Sequence, residues 1–114
     1  MDKRPSSMLP LKPSFLHILA VLVEGEKHGY AIRKAVERDT DGVVQIRIGS
    51  LYNQLHALLE AGLIQESSRR NAGEDDPRRR YYKITALGLN ALSVEATRLK
   101  KFITFLDAKG ILRI

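Results

Sequence analysis
The run Ser14-Phe15-Leu16-His17-Ile18-Leu19-Ala20-Val21-Leu22-Val23 is apolar on nearly every side at helical pitch. A helix of that kind has almost no solvent face, so other elements must surround it. With 114 residues, 44% of them hydrophobic, the chain can build one core of this sort and not two. Its longest apolar stretch, Ile18 to Val23, is far too short to cross a hydrocarbon layer. Met1 to Lys12 is basic and broken by Pro5 and Pro10, without the continuous apolar region of a secretory signal. A soluble, cytoplasmic protein with a flexible arm over 1–13 is the expectation.

What surrounds the central helix follows from the punctuation of the chain. Ser14 is the candidate cap of the first helix and Gly25 its stop. His28-Gly29 reads as a turn before a second helix, Tyr30 to Arg38, with Ile32, Ala35 and Val36 on one face. After a loop from Asp39 to Gly42, Val43-Val44-Gln45-Ile46-Arg47-Ile48 alternates and is β-branched, which predicts a short strand. A third helix spans Ser50 to Ala61, and Gly62 stops it. Two strand-like runs, 63–69 and 79–85, then flank Asn71 to Pro77, where Gly73 and Pro77 forbid helix and a hairpin is predicted.

The third helix carries different chemistry on its two sides. At 100° per residue, Leu51, Leu55, Leu58 and Leu59 face inward with Tyr52 at the edge, while Ser50, Asn53, Gln54 and Ala57 face outward. Asn and Gln can bond an adenine edge at two points, Ser can meet a base or a phosphate, and a small Ala lets a groove wall approach. The helix N-terminus adds unpaired N–H groups that suit a phosphate. On the hairpin, Arg69, Arg70, Arg78, Arg79, Arg80 and Lys83 concentrate positive charge, partly opposed by Glu74, Asp75 and Asp76. The whole chain carries a formal charge of +6. Double-stranded DNA is therefore the expected partner, with the third helix in the major groove and the hairpin as a wing.

The C-terminal segment, 86–114, points to a second copy. Leu89, Leu92, Ala96, Leu99, Ile103 and Leu106 recur at alternating spacings of three and four, and Phe102 and Phe105 widen the stripe. One small core cannot bury that seam, so a homodimer is expected, with Phe15 and Leu19 of the first helix completing the interface. Two recognition helices then address an inverted repeat.

Other function classes fit less well. The chain has no Cys, which excludes disulfides, thiolate zinc sites and Cys nucleophiles, and His17, His28 and His56 lie on separate segments. No metal or cofactor is expected. The loop carboxylates Asp39, Asp41, Asp75 and Asp76 have no neighbouring His or nucleophile, so an enzyme is not expected either. The alternative is a winged-helix protein-interaction module without DNA binding. It needs an exposed apolar patch, which the outward face of the third helix does not offer.

The chain resembles the PadR-like transcriptional regulators. The resemblance rests on His28-Gly29-Tyr30-Ala31-Ile32, on Gly49-Ser50-Leu51-Tyr52 with Leu55, Leu58, Leu59, Glu60, Gly62, Leu63 and Ile64, and on Arg79-Arg80-Tyr81-Tyr82-Lys83-Ile84-Thr85 with Gly88. It covers about residues 11 to 95 and implies a mainly α winged helix-turn-helix with a small β-hairpin and one C-terminal dimerisation helix. The DNA-binding domain is then 14–85 and the dimerisation helix with its tail 86–114. The resemblance further implies repression by operator occupancy, and release by a small-molecule effector at the dimer interface. Arg47-Ile48 stands where the family often has Ser-Pro, which leaves Ser50 as the candidate cap and adds a cation. The expected DNA-binding set on this element is thus Arg47, Gly49, Ser50, Tyr52, Asn53, Gln54 and Ala57.

Overall fold
The computed structural model describes residues 9–67 and 80–112. Their element order is α1 (Pro13–Val23), β1 (Lys27–His28), α2 (Gly29–Asp39), α3 (Ile48–Glu60), β2 (Ile64–Ser67), β3 (Tyr81–Ile84) and α4 (Ala86–Ala108). This is a mainly helical winged helix with a small antiparallel sheet. Helix α1 lies at its centre, in contact with α2, α4 and β3, and buries Phe15, Ile18, Leu19, Val21 and Leu22. The rest of the core comes from α2, α3 and the sheet, through Ile32, Val36, Leu51, Leu55, Leu58, Leu63, Ile64 and Tyr82.

The helix starts differ from the sequence reading in ways that have local causes. α1 begins at Pro13, where a missing N–H costs nothing, so the cap position falls on Lys12 and Ser14 does not cap. His28 is no loop residue. It pairs with Tyr81 in β1, and its Nδ1 accepts the Ala31 N–H at 3.2 Å to cap α2. α3 begins at Ile48 after Arg47, without a side-chain cap, so Ser50 lies inside the helix.

The strand expected over Val43 to Ile48 does not form. β3 is already flanked on both edges, in the order β1-β3-β2. The segment instead meets its backbone needs through side chains. The Val44 N–H donates to Thr40 Oγ1 at 3.0 Å, and Arg33 Nε donates to the Ile46 carbonyl at 2.8 Å. The alternation nevertheless reports burial as far as Arg47, since Ile46 is buried between the exposed Gln45 and Arg47, and it fails at Ile48, which is exposed.

Three elements meet at one joint. Gly62 takes φ +79°, which glycine adopts without strain and which turns the chain from α3 into β2. Thr85 N–H then donates to the Leu63 carbonyl at 3.1 Å, and its hydroxyl donates to the Gly62 carbonyl at 2.7 Å. The same hydroxyl accepts the Gly88 N–H at 3.0 Å, capping α4. Gly88 packs so closely here that a Cβ would collide with the Leu63 carbonyl oxygen and lie 2.7 Å from Ile84 Cγ1.

A buried carboxylate fastens the chain ahead of α1. Glu95 is 1% exposed, accepts the Leu11 N–H at 2.6 Å and pairs with Arg98 Nε at 2.6 Å. The Arg98 hydrogen bond holds its carboxyl below the usual carboxylate range. Burial opposes that shift, and the Leu11 N–H supports it.

Two predictions follow from these contacts. Gly88→Ala should destabilise the domain by about 1–3 kcal/mol, since the obstruction is backbone rather than a side-chain tip. Urea unfolding measures this. Glu95 has a depressed folded pKa, so its stabilisation is complete above the range where an unfolded glutamate titrates, about pH 4.3, and is lost as pH falls through the lower folded value. Glu95→Gln should therefore melt below the parent protein at neutral pH, with the gap closing in acid. A pH-independent gap in thermal midpoints would contradict that assignment.

Candidate nucleic-acid interface
α3 is amphipathic because its leucines fall on one side. Leu51, Leu55 and Leu58 are buried, and Leu59 packs partly against the core. On the outward side Gly49, Ser50, Tyr52, Asn53, His56 and Glu60 are exposed, whereas Gln54 and Ala57 are half-buried. Asn53 lies farthest around the helix from the buried stripe. The first turn holds no acidic residue and no side-chain cap, so its N–H groups face outward with the positive end of the helix dipole.

The approach to α3 is fixed from α2. Asp41 at φ 51° and Gly42 at φ +79° turn the chain after α2, and Thr40 braces the turn by donating to the Val36 carbonyl at 2.9 Å while accepting from Val44. Arg33 holds the Ile46 carbonyl directly before the exposed Arg47. α3 therefore sits on a clamped loop, which limits the angles from which its first turn can be presented.

Beside α3 stands the ribbon of β2 and β3, in register from Ile64↔Ile84 to Ser67↔Tyr81. Tyr82 is buried within it, and that burial pushes its phenol up, with Glu66 adding to the shift. Arg80 is exposed and pairs with Glu66 at 3.2 Å, and Lys83 is half-buried. A cleft of 610 Å³ runs between the N-terminus of α2, α3 and this ribbon, walled by Tyr30, Tyr52, His56, Arg80 and Tyr82. Tyr52 closes one side of it, its hydroxyl lying so near Gly29 that a Cβ there would stand 3.2 Å away.

The structure thus brings Arg47, Gly49, Ser50, Tyr52 and Asn53 onto one exposed helix end, and Arg80 lines the cleft that Tyr52 also walls. Arg69, Arg70, Arg78 and Arg79 lie outside the described residues. Two sequence expectations concern Phe15 and Leu19 as interface residues. Leu19 is 0% exposed and Phe15 7%, because the all-round apolar α1 is enclosed by its own chain, so both belong to the core. Sequence reasoning missed Arg33, His28 and His56. A helical wheel finds His56 beside Tyr52 and Asn53, and a His three residues ahead of a free helical N–H is a capping signal. Arg33 gives no such signal, since its partner is a carbonyl thirteen positions away.

Residues 18–94 match the transcriptional regulator PadR-like family. The chain belongs to this family. Among solved structures, a transcriptional regulator from Clostridium thermocellum is 25% identical with a TM-score of 0.70, covering 83% of this chain and 87% of that one. RosR of H. salinarum is 26% identical with a TM-score of 0.62, covering 92% and 99%. A PadR family regulator from Clostridium difficile, at 20% identity and a TM-score of 0.71 over 85% and 97%, shares the fold. No curated protein matches. PadR-like proteins are DNA-binding regulators of transcription and not enzymes. No helix among the described residues is long and apolar enough to cross a membrane.

Proposed function
We propose that this PadR-like chain is a homodimeric repressor that occupies an inverted-repeat operator. α3 enters the major groove, with Asn53 and Ser50 toward base edges and the adjacent phosphate, while the ribbon lies against the flanking backbone. The observation that carries the reading is the exposed, uncapped first turn of α3, on a helix whose Tyr52 and His56 share a cleft with Arg80 of the ribbon. A helix end rich in unpaired N–H groups beside a cationic ribbon suits a polyanion whose groove admits a helix.

Support for the pair of copies comes from α4. Its buried residues, Gly88, Ala91 and Glu95, all lie in its first half. Beyond them Ala96 is exposed, and Phe102, Ile103 and Phe105 are 52%, 50% and 55% exposed, while Leu99 and Leu106 are half-buried. Leu92 packs partly on the core, and Leu89 is 47% exposed at the near end of the same helix. A second α4 would cover this stripe and set two reading helices at a fixed separation. The C-terminal part, 86–114, is accordingly the dimerisation element, and 14–85 the DNA-binding domain. An effector that alters the angle between them would change that separation and release the operator.

Two experiments test this. Selection from a random duplex pool should enrich an inverted repeat, with affinity falling steeply as salt rises. On that site Asn53→Ala should cost about 1–3 kcal/mol and little on random duplex, whereas Arg80→Ala should weaken both alike. Losses of equal pattern for the two variants would remove Asn53 from base reading. Phe102→Glu with Ile103→Glu should give a folded monomer in sedimentation, because neither side chain supports the protomer core. A dimer surviving both charges would place the interface elsewhere.

A further inference from the structure
By residue type, Gln54 is an adenine reader like Asn53, one position away. Its surroundings in the fold give it another task. A glutamine that reads adenine needs both ends of its carboxamide in the groove, one to donate and one to accept. Gln54 Nε2 instead donates to Ser50 Oγ one helical turn earlier, at 2.8 Å. Its Oε1 is buried out of water without a hydrogen-bond partner among the described residues. The carboxamide is turned back along the helix, with one end engaged and the other covered. This orientation is the cheaper one, since the amide nitrogen would bury two unpaired donors where the oxygen buries an acceptor.

The consequence falls on Ser50. A hydroxyl carries one proton and two lone pairs, and here a lone pair is taken by Gln54. Elsewhere in the chain, two helical threonines turn their hydroxyls back to the carbonyl one turn before. Thr97 donates to Ser93 at 3.1 Å and Thr104 to Lys100 at 3.0 Å. Ser50 makes no such bond and is exposed in the first turn of α3. Its proton is therefore available to an acceptor outside the protein.

We propose that Gln54 is a positioning residue, which orients the Ser50 hydroxyl as a donor toward an acceptor on the duplex and leaves Asn53 as the carboxamide of α3 that reads a base. The inference rests on the DNA-binding reading above. The acceptor is a phosphate oxygen or an acceptor edge in the major groove, such as guanine N7 or thymine O4.

The test is a double-mutant cycle, read by fluorescence anisotropy on the duplex that the parent protein enriches. Ser50→Ala and Gln54→Ala should each weaken binding, by about three- to tenfold for one lost hydrogen bond. The double variant should bind no worse than Ser50→Ala alone. Gln54→Met, which keeps length without polarity, should match Gln54→Ala. Base preferences selected by Gln54→Ala should stay unchanged wherever those selected by Ser50→Ala do. Across single-base variants of the site, a uniform loss for Ser50→Ala identifies a phosphate acceptor, and a loss confined to one position identifies a base.

Multiplying losses in the double variant, no loss for either single variant, or adenine preference relaxed by Gln54→Ala alone would each overturn the assignment. Alanine favours helix, and neither Ser50 nor Gln54 belongs to the hydrophobic core, so thermal midpoints should stay near the parent's and separate binding from folding. If the parent protein enriches no duplex, the DNA-binding reading fails and carries this inference with it. Enrichment with independent losses sinks the inference alone.

Discussion
The contact between Gly88 and the Leu63 carbonyl is the constraint on which the functional arrangement depends. α3 ends three residues before that carbonyl, β2 begins beside it, and α4 starts against it. Thr85 welds the three together, because one hydroxyl donates to Gly62 and accepts from Gly88 while the same residue's N–H reaches Leu63. A side chain at 88 would wedge the joint open by the width of a methyl group. α3, the ribbon and the helix that carries the exposed stripe thus share one joint, held by the Gly88 backbone contact and by Thr85.

The other end of α3 is held by different means. No sheet ladder reaches residues 43–47, and the loop is kept in place by Thr40 and Arg33. Backbone polar groups that find no strand partner must find side chains, and α2 supplies them. The result is a helix whose C-terminus is locked to the sheet and whose N-terminus is locked to α2. Its first turn is left uncapped between the two anchors. An uncapped end is tolerable in water because solvent satisfies the N–H groups, and it becomes useful when a phosphate replaces that solvent.

Much of this was legible in the residues. The all-round apolar run from Phe15 to Val23 marks the central helix, and Leu51, Leu55 and Leu58 mark the inner face of α3. Gly62 and Gly88 stand where the chain turns and where backbones touch. What sequence could not show is where hydrogen bonds go over long separations. Val43 to Ile48 has the alternation of a strand, and burial does alternate as far as Arg47, yet pairing depends on whether β3 has a free edge, and Lys27 and His28 already occupy it. Leu19 looked available to a partner because helical apolar residues look alike until the enclosing elements are placed. Leu11 to Glu95 joins residues eighty-four positions apart, and no local pattern announces such a bond.

The same distinction separates residue type from residue role on α3. Ser50, Asn53 and Gln54 are equivalent as polar outward residues on a helical wheel, since the wheel records direction and not pairing. Position 54 lies on the shoulder of the helix, where a long side chain can fold back over the preceding turn. Asn53, shorter and directly opposite the core, makes no side-chain hydrogen bond among the described residues. Side-chain length and angle from the core thus divide three similar polar residues into a supported hydroxyl, its support and an unencumbered amide. The reach of each side chain is set by the same leucine stripe that fixes the helix on the core.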